Sequence, residues 1–588
     1  MSDMDKIKEK KTSRRHFLAG SAALSSVAVS LPTIAQGSDD DITVNTLKEA
    51  QKLFGLDFTD KENEQLLTVL GKQVENLQEL RTIEKSNGLP QALTFDPRLS
   101  YVDYPERQNR LELSKSSSYV KNMTDGNIAF ASIKQQAAWI KKGKITSERL
   151  TKIYLKRIQK HGPALECFVT VTEDLALQQA RQADREIKAG KYRGPLHGIP
   201  YGIKDLFDTK GIKTTWGAMP YKDRVAQSDA TIVEILTQAG AVMLGKTTCG
   251  ALASGDVWYD GKTRNPWNLR EGSTGSSAGS ASATAAGLVG FSIGTETLGS
   301  IISPSNRCGI TGLRPTYGRV SRAGAMALCW SLDKVGPMCR TVEDTAMVLS
   351  VLNHYDKKDS GAIEMGFDYQ GNRDLSDIVV GYDPDWFEGE GTAVCDKNAL
   401  QALKDLGVKT KHITLPDTKP HLLRMSLVSE AAAAHEELTL SNDDELLRRQ
   451  IDRAWPNRFR HGRLLSAVDY VQLDRLRRQA MEHMQRVFED VDMLIAPNFA
   501  AGLLVTTNYT GHPCLTLRSG FHERQLIRPG GPYLQQKDVP KEKEEAVFNL
   551  PRNISLMGRL FDEGSLCAVG HRLEEKLGVN NNPPEFMV

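Results

Sequence analysis

The chain has 588 residues, of which 40% are hydrophobic and 25% are charged, with 75 Lys and Arg against 73 Asp and Glu. This is an ordinary globular composition, long enough for a large core, and a net charge of +2 excludes the basic excess typical of nucleic-acid readers. The eight cysteines include no C-x-x-C pair, so we expect neither a disulfide framework nor a zinc site.

The first 37 residues have the layout of an export signal. Basic residues, including Arg14 and Arg15, precede an apolar stretch that ends in small residues. The string SRRHFL resembles a twin-arginine signal, and serines within the apolar stretch argue against a transmembrane span. The pattern predicts a signal peptide over residues 1–37. It also predicts a periplasmic or extracellular mature protein without stable membrane insertion.

Two segments separate this leader from the main body of the chain. Residues 42–95 have a helical pattern, in which Thr59 and Glu62 fit a capping box and leucines follow at helical spacing from Leu66. Residues 96–125 are polar. We therefore predict a small N-terminal helical segment followed by a linker.

From residue 126 onward, helical and strand-like patterns alternate. The string DATIVEILTQ at 229–238 has a helical pattern, and the apolar run AVML at 241–244 follows it after a turn. VVGYDP and DMLIAP are later apolar runs closed by turn residues. This alternation predicts an α/β fold with a mostly parallel sheet.

The string GAVMLGKT at Gly240–Thr247 matches the phosphate-binding pattern G-x-x-x-x-G-K-T. That loop has to follow a strand and open a helix, so that backbone N–H groups surround a phosphate. Here a predicted helix ends at Gly240 and residues 241–244 are themselves the strand. We therefore do not expect nucleotide binding at this string.

A second match, GSSAG at Gly275–Gly279, has the G-x-S-x-G pattern in which Ser277 would be the nucleophile of a strand-to-helix elbow. The match lies in a segment rich in Gly, Ala and Ser, where it arises easily by chance. A predicted loop, NPWNLREGST, precedes it in place of the strand that an elbow needs. This interpretation is therefore disfavoured.

Three segments in fixed order form a far more specific pattern. They are GIPYGIKD at 198–205, GSTGSSAGSASATAAG at 272–287 and GTETLGSIISPSNRCGITGLRPTYGRVS at 294–321. Together they resemble the amidase signature family, and the resemblance extends over about residues 126–575. It implies the amidase signature fold, an α/β arrangement in which helices cover both faces of a mixed, mostly parallel β-sheet. It also makes residues 126–575 the catalytic domain.

The resemblance further implies a Ser-Ser-Lys triad, in which Ser300 is the nucleophile, Ser276 relays protons and Lys204 is the base. No metal or organic cofactor is implied. The oxyanion would be held by four backbone N–H groups, those of Thr297, Leu298, Gly299 and Ser300.

The residue chemistry is compatible with these roles. Amide hydrolysis needs an activated nucleophile, an oxyanion site and a proton for the leaving amine. A lysine acts as a base only when it is neutral, and burial without a counter-charge lowers its pKa. The residues before Lys204 are mostly apolar, which permits burial, whereas the adjacent Asp205 would favour the charged ammonium.

Four positions depart from the family pattern. Glu296 stands where the family has Asp, Leu298 and Ala278 stand where it has Gly, and Ile302 stands where it has Arg. Arg307 is a candidate for replacing the cation that is lost at Ile302. We expect the departures to affect rate and substrate choice more than reaction type.

The sequence therefore predicts an exported amidase that hydrolyses a carboxylic amide through an acyl-enzyme on Ser300. Its predicted partner is a small-molecule amide substrate, without nucleic acid, and a homodimer is an option for its assembly. Two alternatives stay open. One is the A subunit of glutamyl-tRNA amidotransferase, which takes ammonia from glutamine, and an export signal argues against it. The other is a non-catalytic protein on an amidase fold, against which the intact triad argues.

Overall fold

The computed structural model describes residues 42–104, 106–115, 122–389, 391–525, 546–579 and 583–584. The predicted signal peptide over residues 1–37 lies outside these ranges. Within them, no helix combines the length and the apolar character that crossing a membrane requires. All eight cysteines fall inside the described ranges, and each is buried as a free thiol.

The chain divides into two compact units, residues 1–81 and residues 82–588. The described part of the first unit contains helix α1 (Val44–Phe54) and most of helix α2 (Asp60–Thr82). Thr59 and Glu62 form the reciprocal contacts of a capping box, with the Thr59 N–H 2.7 Å from the Glu62 carboxylate and the Glu62 N–H 3.4 Å from the Thr59 hydroxyl. The domain boundaries at 95 and 125 stay predictions.

The second unit contains the strands. They are β1 (Arg110–Glu112), β2 (Phe168–Val171), β3 (Pro200–Lys204), β4 (Val242–Thr247), β5 (Val257–Trp258), β6 (Gly261–Lys262), β7 (Arg264–Asn265), β8 (Asn268–Gly272), β9 (Phe291–Glu296), β10 (Thr311–Arg314), β11 (Lys334–Cys339), β12 (Asp368–Gln370), β13 (Val379–Tyr382), β14 (Lys409–His412), β15 (Met493–Pro497), β16 (Cys514–Gln525) and β17 (Val547–Gly558).

The second unit also contains the remaining helices. They are α3 (Asp125–Phe130), α4 (Ile133–Lys141), α5 (Ser147–Leu165), α6 (Glu173–Lys188), α7 (Thr231–Gln238), α8 (Ala278–Ala285), α9 (Ile302–Cys308), α10 (Val342–Leu352), α11 (Val394–Asp405), α12 (Pro420–Ala434), α13 (Glu436–Leu440), α14 (Trp455–Gly462), α15 (Ala467–Asp490), α16 (Leu503–Tyr509) and α17 (Glu563–Leu577).

One eleven-stranded sheet organises this unit, in the order β14-β13-β15-β17-β16-β10-β11-β9-β3-β4-β2. The expected α/β fold with a mixed sheet and covering helices is confirmed, but the parallel share is smaller than expected, since six of the ten strand pairs in this sheet are antiparallel. Parallel pairing joins β13 to β14 and β15, and joins β3 to β4 and β9. The strands between these two groups pair antiparallel, because the long β16–β17 pair and the β9–β11 and β10–β11 pairs lie there.

Both faces of the sheet are buried. Met493 and Ile495 on β15 belong to one apolar cluster, whereas the intervening Leu494 and the following Ala496 belong to another. Because successive side chains of a strand point to opposite faces, the core continues on both sides of the sheet. This arrangement explains why the strands read as continuous apolar runs without polar alternation.

The string that matches a phosphate-binding loop is strand β4, as its sequence context predicts. Helix α7 precedes it, and the residue corresponding to the phosphate-binding lysine, Lys246, is fully buried within the strand. Its ammonium group donates hydrogen bonds to the Phe207 carbonyl and to the hydroxyls of Thr209 and Thr214. The loop conformation that surrounds a phosphate is therefore absent from this described segment.

Candidate active site

Lys204 is the last residue of β3, and it is completely buried. Its Nζ donates hydrogen bonds of 2.7 Å to the Ser276 hydroxyl and 2.7 Å to the Thr295 hydroxyl, with the Thr295 carbonyl 3.4 Å away. Burial lowers the pKa of Lys204 to about 8. An appreciable fraction of this amine is therefore neutral near physiological pH, and a neutral amine is able to accept a proton from the serine.

The carboxylate next in sequence does not serve as the counter-charge of Lys204. Asp205 accepts hydrogen bonds from the backbone N–H of Thr215, at 2.9 Å, and from the Thr215 hydroxyl. Its other oxygen lies 3.9 Å from the ammonium nitrogen of Lys246. Because Asp205 is turned towards a second buried lysine, the concern that it keeps Lys204 charged does not hold.

Ser276 and Ser277 lie side by side but have different surroundings. The peptide bond between Gly275 and Ser276 is cis, and the Ser276 hydroxyl contacts Lys204. The Ser277 hydroxyl instead donates to the Thr295 carbonyl at 3.0 Å and lies 3.2 Å from the Thr295 N–H. Both of these contacts hold backbone in place, so the geometry disfavours Ser277 as the nucleophile.

Ser300 is buried in the loop between β9 and α9. Its carbonyl accepts a 3.2 Å hydrogen bond from the Ser277 N–H, which joins this loop to the segment that carries Ser276. Gly299 has a φ of +86°, and a Cβ at that position would lie 2.9 Å from the Ser303 hydroxyl. Glycine is therefore required both by the backbone conformation and by the space available.

The backbone of this loop leaves donors available. Within the described ranges, the N–H groups of residues 297–300 make no hydrogen bond to the protein. The loop is anchored beside them, since the Thr297 hydroxyl donates to Asp333 at 2.6 Å and the Gly299 carbonyl accepts from the Ser303 N–H at 2.7 Å. Free N–H groups on a fixed loop are the elements from which oxyanion sites are built.

A buried ionic network holds the far end of the nucleophile loop. One oxygen of Glu296 accepts the N–H groups of Ile301 and Ile302 at 2.8 and 3.0 Å. The other accepts from Arg314 at 2.8 Å and from the Asn508 side chain at 2.8 Å. Burial raises the pKa of Glu296, but Arg314 and these hydrogen bonds reverse the shift and leave it below its usual range.

Arg307 does not supply the cation that the family pattern has at Ile302. Its guanidinium is 2.7 Å from the carboxylate of Glu271, away from the nucleophile loop. The cation is Arg314, on strand β10, which is separated from β9 by β11 in the sheet, and the Ile302 side chain packs into an apolar cluster. The suggestion made from the sequence for Arg307 is therefore wrong, because only the strand order of the sheet brings Arg314 to Glu296.

A cavity of about 450 Å³ lies beside the carboxyl end of β9. Thr295 and Thr297 belong to its wall. The aromatic and apolar part of the wall includes Leu206, Trp216, Met326, Leu328 and Trp330. A cavity of this size and lining is suited to a small organic group or the end of a larger ligand.

The structure brings some of the predicted site residues into direct contact and connects others only through intervening residues. Lys204 and Ser276 are in direct contact, and the loop 297–300 is joined to them through Ser277 and Thr295. Sequence reasoning missed Thr295, Arg314 and Asn508. Thr295 and Arg314 lie inside the family segments, but nothing in their local pattern indicates their contacts. In the described part of the chain, no group of three or more His, Cys, Asp or Glu side chains could hold a metal ion.

Comparison with known proteins shows which family the chain belongs to. The sequence profile of the family described as Amidase matches residues 149–567. The chain belongs to the amidase signature family. Members of this family act on C–N bonds. The peptide amidase from Stenotrophomonas maltophilia shares the amidase fold, with a TM-score of 0.66 and 26% identity over 78% of this chain and 98% of that one.

Proteins that are related to this chain in sequence have names more specific than the family name. The A subunit of glutamyl-tRNA(Gln) amidotransferase from Carboxydothermus hydrogenoformans is 32% identical over 489 residues, which cover 78% of this chain and 99% of the relative. The protein of the same name from Methylococcus capsulatus is 32% identical over 479 residues, 76% of this chain and 97% of the relative.

These relatives correct the main functional prediction. The predicted exported amidase is wrong, because the relatives bear the name that the sequence analysis held as its alternative. The predicted partners are wrong for the same reason: that name refers to a tRNA and to one component of a larger enzyme, rather than to a small-molecule amide or a homodimer. The predicted periplasmic or extracellular location is also wrong, since an enzyme named for tRNA has to meet that tRNA inside the cell.

Proposed function

We propose that the chain is the A-subunit component of an amidotransferase, which releases ammonia from the side-chain amide of glutamine for the amidation of a tRNA-linked glutamyl group. The 2.7 Å contact between the buried Lys204 amine and the Ser276 hydroxyl carries the chemical part of this proposal. The two relatives named above, which the chain matches over nearly their full length, support the amidotransferase part. Residues 126–575 are proposed as the catalytic domain, after a helical segment at 42–95 and a linker at 96–125.

In the proposed mechanism Ser300 attacks the amide carbon. Its hydroxyl proton passes to Ser276 while the Ser276 proton passes to neutral Lys204, so that no buried ion pair has to form before bond formation. The proton then returns from Lys204 through Ser276 to the leaving nitrogen, which departs as ammonia. A water molecule attacks the acyl-enzyme through the same relay and regenerates Ser300.

The oxyanion of each tetrahedral intermediate would be held by the backbone N–H groups of residues 297–300. They are suitable because they are not committed to acceptors in the described protein and because Glu296 fixes the end of the loop. Loss of one donor of this kind typically slows a reaction by about 10²–10³-fold. Thr295 has a positioning role, since its hydroxyl holds the Lys204 amine and its backbone holds Ser277.

The test is a replacement experiment. The chain is combined with the other components of the Carboxydothermus hydrogenoformans amidotransferase in place of that enzyme's own homologous component. Ammonia release from glutamine and formation of glutaminyl-tRNA from glutamyl-tRNA(Gln) are then measured. We expect both activities, and we expect Ser300→Ala to abolish both.

Ser228→Ala is the matched control, because Ser228 is exposed and distant in sequence from all three segments of the site. We expect it to keep wild-type activity. A folded wild-type chain that labels with a fluorophosphonate yet releases no ammonia from glutamine in the assembled enzyme would overturn the proposed substrate. Absence of labelling at Ser300 would overturn the mechanism as well.

A further inference from the structure

A partly buried carboxylate, Asp333, lies beside the loop 297–300. Asp333 directly precedes β11, and the antiparallel register pairs Lys334 of β11 with Glu296 of β9. One step further along the same register, Asp333 stands opposite Thr297. One of its carboxylate oxygens accepts a 2.6 Å hydrogen bond from the Thr297 hydroxyl. A hydrogen bond of this length from a hydroxyl to a carboxylate is among the stronger ones in proteins.

The second oxygen of Asp333 holds a turn of its own segment. It accepts the backbone N–H groups of Leu328 and Cys329, at 2.8 and 3.0 Å. The Asp333 N–H donates to the Cys329 carbonyl at 2.9 Å, which closes the turn 328–333. One carboxylate therefore connects this turn to the loop 297–300.

The turn 328–333 is fixed by side chains from other parts of the fold. The Trp330 carbonyl accepts a 2.6 Å hydrogen bond from Arg322. Ser331 donates through its hydroxyl and its N–H to the carboxylate of Glu430, at 2.6 and 3.1 Å. Because the turn is held at two successive residues, the carboxylate that ends it is an acceptor in a fixed position.

The Thr297 side chain orients its own backbone. Within the described ranges, its hydroxyl makes no hydrogen bond except the one to Asp333, and its N–H is one of the four proposed for the oxyanion. A hydroxyl that is held in place selects one χ1 rotamer, and the rotamer of a β-branched residue is coupled to φ and ψ. Oxyanion donors act because they are oriented before the reaction. Glu296 holds the end of the nucleophile loop after Ser300, so Asp333 would hold its beginning.

The electrostatics of Asp333 agree with a bond that matters energetically. Desolvation raises the pKa of Asp333, and the hydrogen bond from Thr297 is the largest of the contributions that oppose this rise. The hydroxyl thus stabilises the ionised carboxylate, and the carboxylate holds the hydroxyl in return.

We propose that Asp333 is a positioning residue for acyl transfer, which holds the backbone N–H of Thr297 in the oxyanion site through the Thr297 hydroxyl. Asp333 touches no reacting atom in this role and acts only through Thr297. The inference rests on the proposed function through its mechanism, the attack by Ser300, and does not depend on which amide is cleaved.

The experiment is a double-mutant cycle on the full chain, read by fluorophosphonate labelling of Ser300. Thr297→Val removes the hydroxyl and keeps the backbone N–H, and Asp333→Asn keeps a carbonyl oxygen for the turn. We expect each variant to lower the maximal labelling rate by about tenfold, with the half-saturating probe concentration within about twofold of wild type. The double variant should also lose only about tenfold, because both replacements remove the same bond.

Asp356 and Thr231 are the matched control pair. Asp356 is a buried carboxylate that accepts a 2.7 Å hydrogen bond from the Thr231 hydroxyl and a 2.6 Å bond from the Ser321 hydroxyl, outside the proposed site. Thr231→Val and Asp356→Asn should unfold at lower urea concentration. Their folded fractions should keep the maximal labelling rate within about twofold of wild type, since a role in stability alone does not change that rate.

The outcomes separate this inference from the proposed function. A loss of about a hundredfold in the double variant, or a normal rate in Thr297→Val, would overturn the positioning role. If Asp333→Asn does not fold, as judged by circular dichroism, Thr297→Val decides the question alone. A wild-type chain that labels at Ser300 but releases no ammonia from glutamine in the assembled enzyme would overturn the proposed function and leave the positioning role standing. A wild-type chain that does not label at Ser300 would overturn both.

Discussion

Glu296 and Arg314 form a completely buried ion pair, with Arg314 Nη1 2.8 Å from the Glu296 carboxylate. The second Glu296 oxygen accepts the N–H groups of Ile301 and Ile302, directly after Ser300. One carboxylate thus connects strand β10 to the nucleophile loop. Removing one member of such a pair leaves the other charge buried without compensation, which is far more costly than losing an exposed pair.

Arg314→Met should therefore lower the free energy of unfolding by about 3–5 kcal/mol. It should also slow fluorophosphonate labelling of Ser300, because the loop end is no longer fixed. Urea unfolding and labelling kinetics measure the two effects. Arg307→Met is the control: Arg307 pairs with Glu271, which keeps a second arginine, Arg524, at 2.7 Å. A normal labelling rate in Arg314→Met would show that the pair does not position the loop.

The two adjacent serines should respond differently to replacement. Ser277→Ala removes two contacts to the Thr295 backbone, and we expect it to lower the free energy of unfolding by about 1–3 kcal/mol. Because its hydroxyl is outside the proposed relay, the folded fraction should still label at Ser300. Ser276→Ala removes the 2.7 Å contact with the buried Lys204 amine, so we expect a similar loss of stability, but here the folded fraction should also lose labelling. The reverse pattern, with labelling lost only in Ser277→Ala, would restore the elbow interpretation.

Asn87 should stabilise the segment that forms one side of the cavity. Its side chain donates to the carbonyls of Ala327 and Ala434, at 2.8 and 3.0 Å, and accepts from the Ala327 N–H at 2.8 Å. Asn87→Ala removes three hydrogen bonds, so we expect the segment around residues 86–90 to be cut faster in limited proteolysis. Asn372→Ala, which removes one contact to the exposed Lys115, is the control. Equal cleavage rates in the two variants would contradict a role for Asn87.

The fold class and the central contact of the site could be predicted because they depend on local patterns and on ordered family segments. Alternating helical and apolar segments led to the α/β class, and the three segments led to Lys204, Ser276 and Ser300. The partner of Asp205 could not be predicted in this way. Lys246 lies 41 residues away on the adjacent strand β4, and only sheet pairing brings it near.

The hydrogen-bonded network around Glu296 could not be predicted from the sequence for the same reason. Asn508 is 212 residues from Glu296 along the chain, and Arg314 reaches it across the antiparallel strands β9, β11 and β10. Local chemistry indicated only that a cation was missing at Ile302, and the nearest arginine in sequence, Arg307, was the wrong one. Likewise, composition could not indicate that Trp216 and Trp330 line one cavity, since the two residues are 114 positions apart in the chain.

The pH dependence of activity tests Lys204 directly. Burial lowers the pKa of Lys204 to about 8, below the ~10.4 of a free lysine, and the proposed base is the neutral form. Because the neutral amine forms as pH rises through this pKa, kcat/KM should rise with pH, about tenfold per unit below pH 8, and level off above it. Lys204→Arg should be inactive because a guanidinium stays protonated, and Lys204→Ala should slow acylation by about 10²–10⁴-fold. Lys160→Arg, on the exposed face of α5, should keep the wild-type profile. A flat profile between pH 6 and 9, or activity in Lys204→Arg, would remove Lys204 as the base.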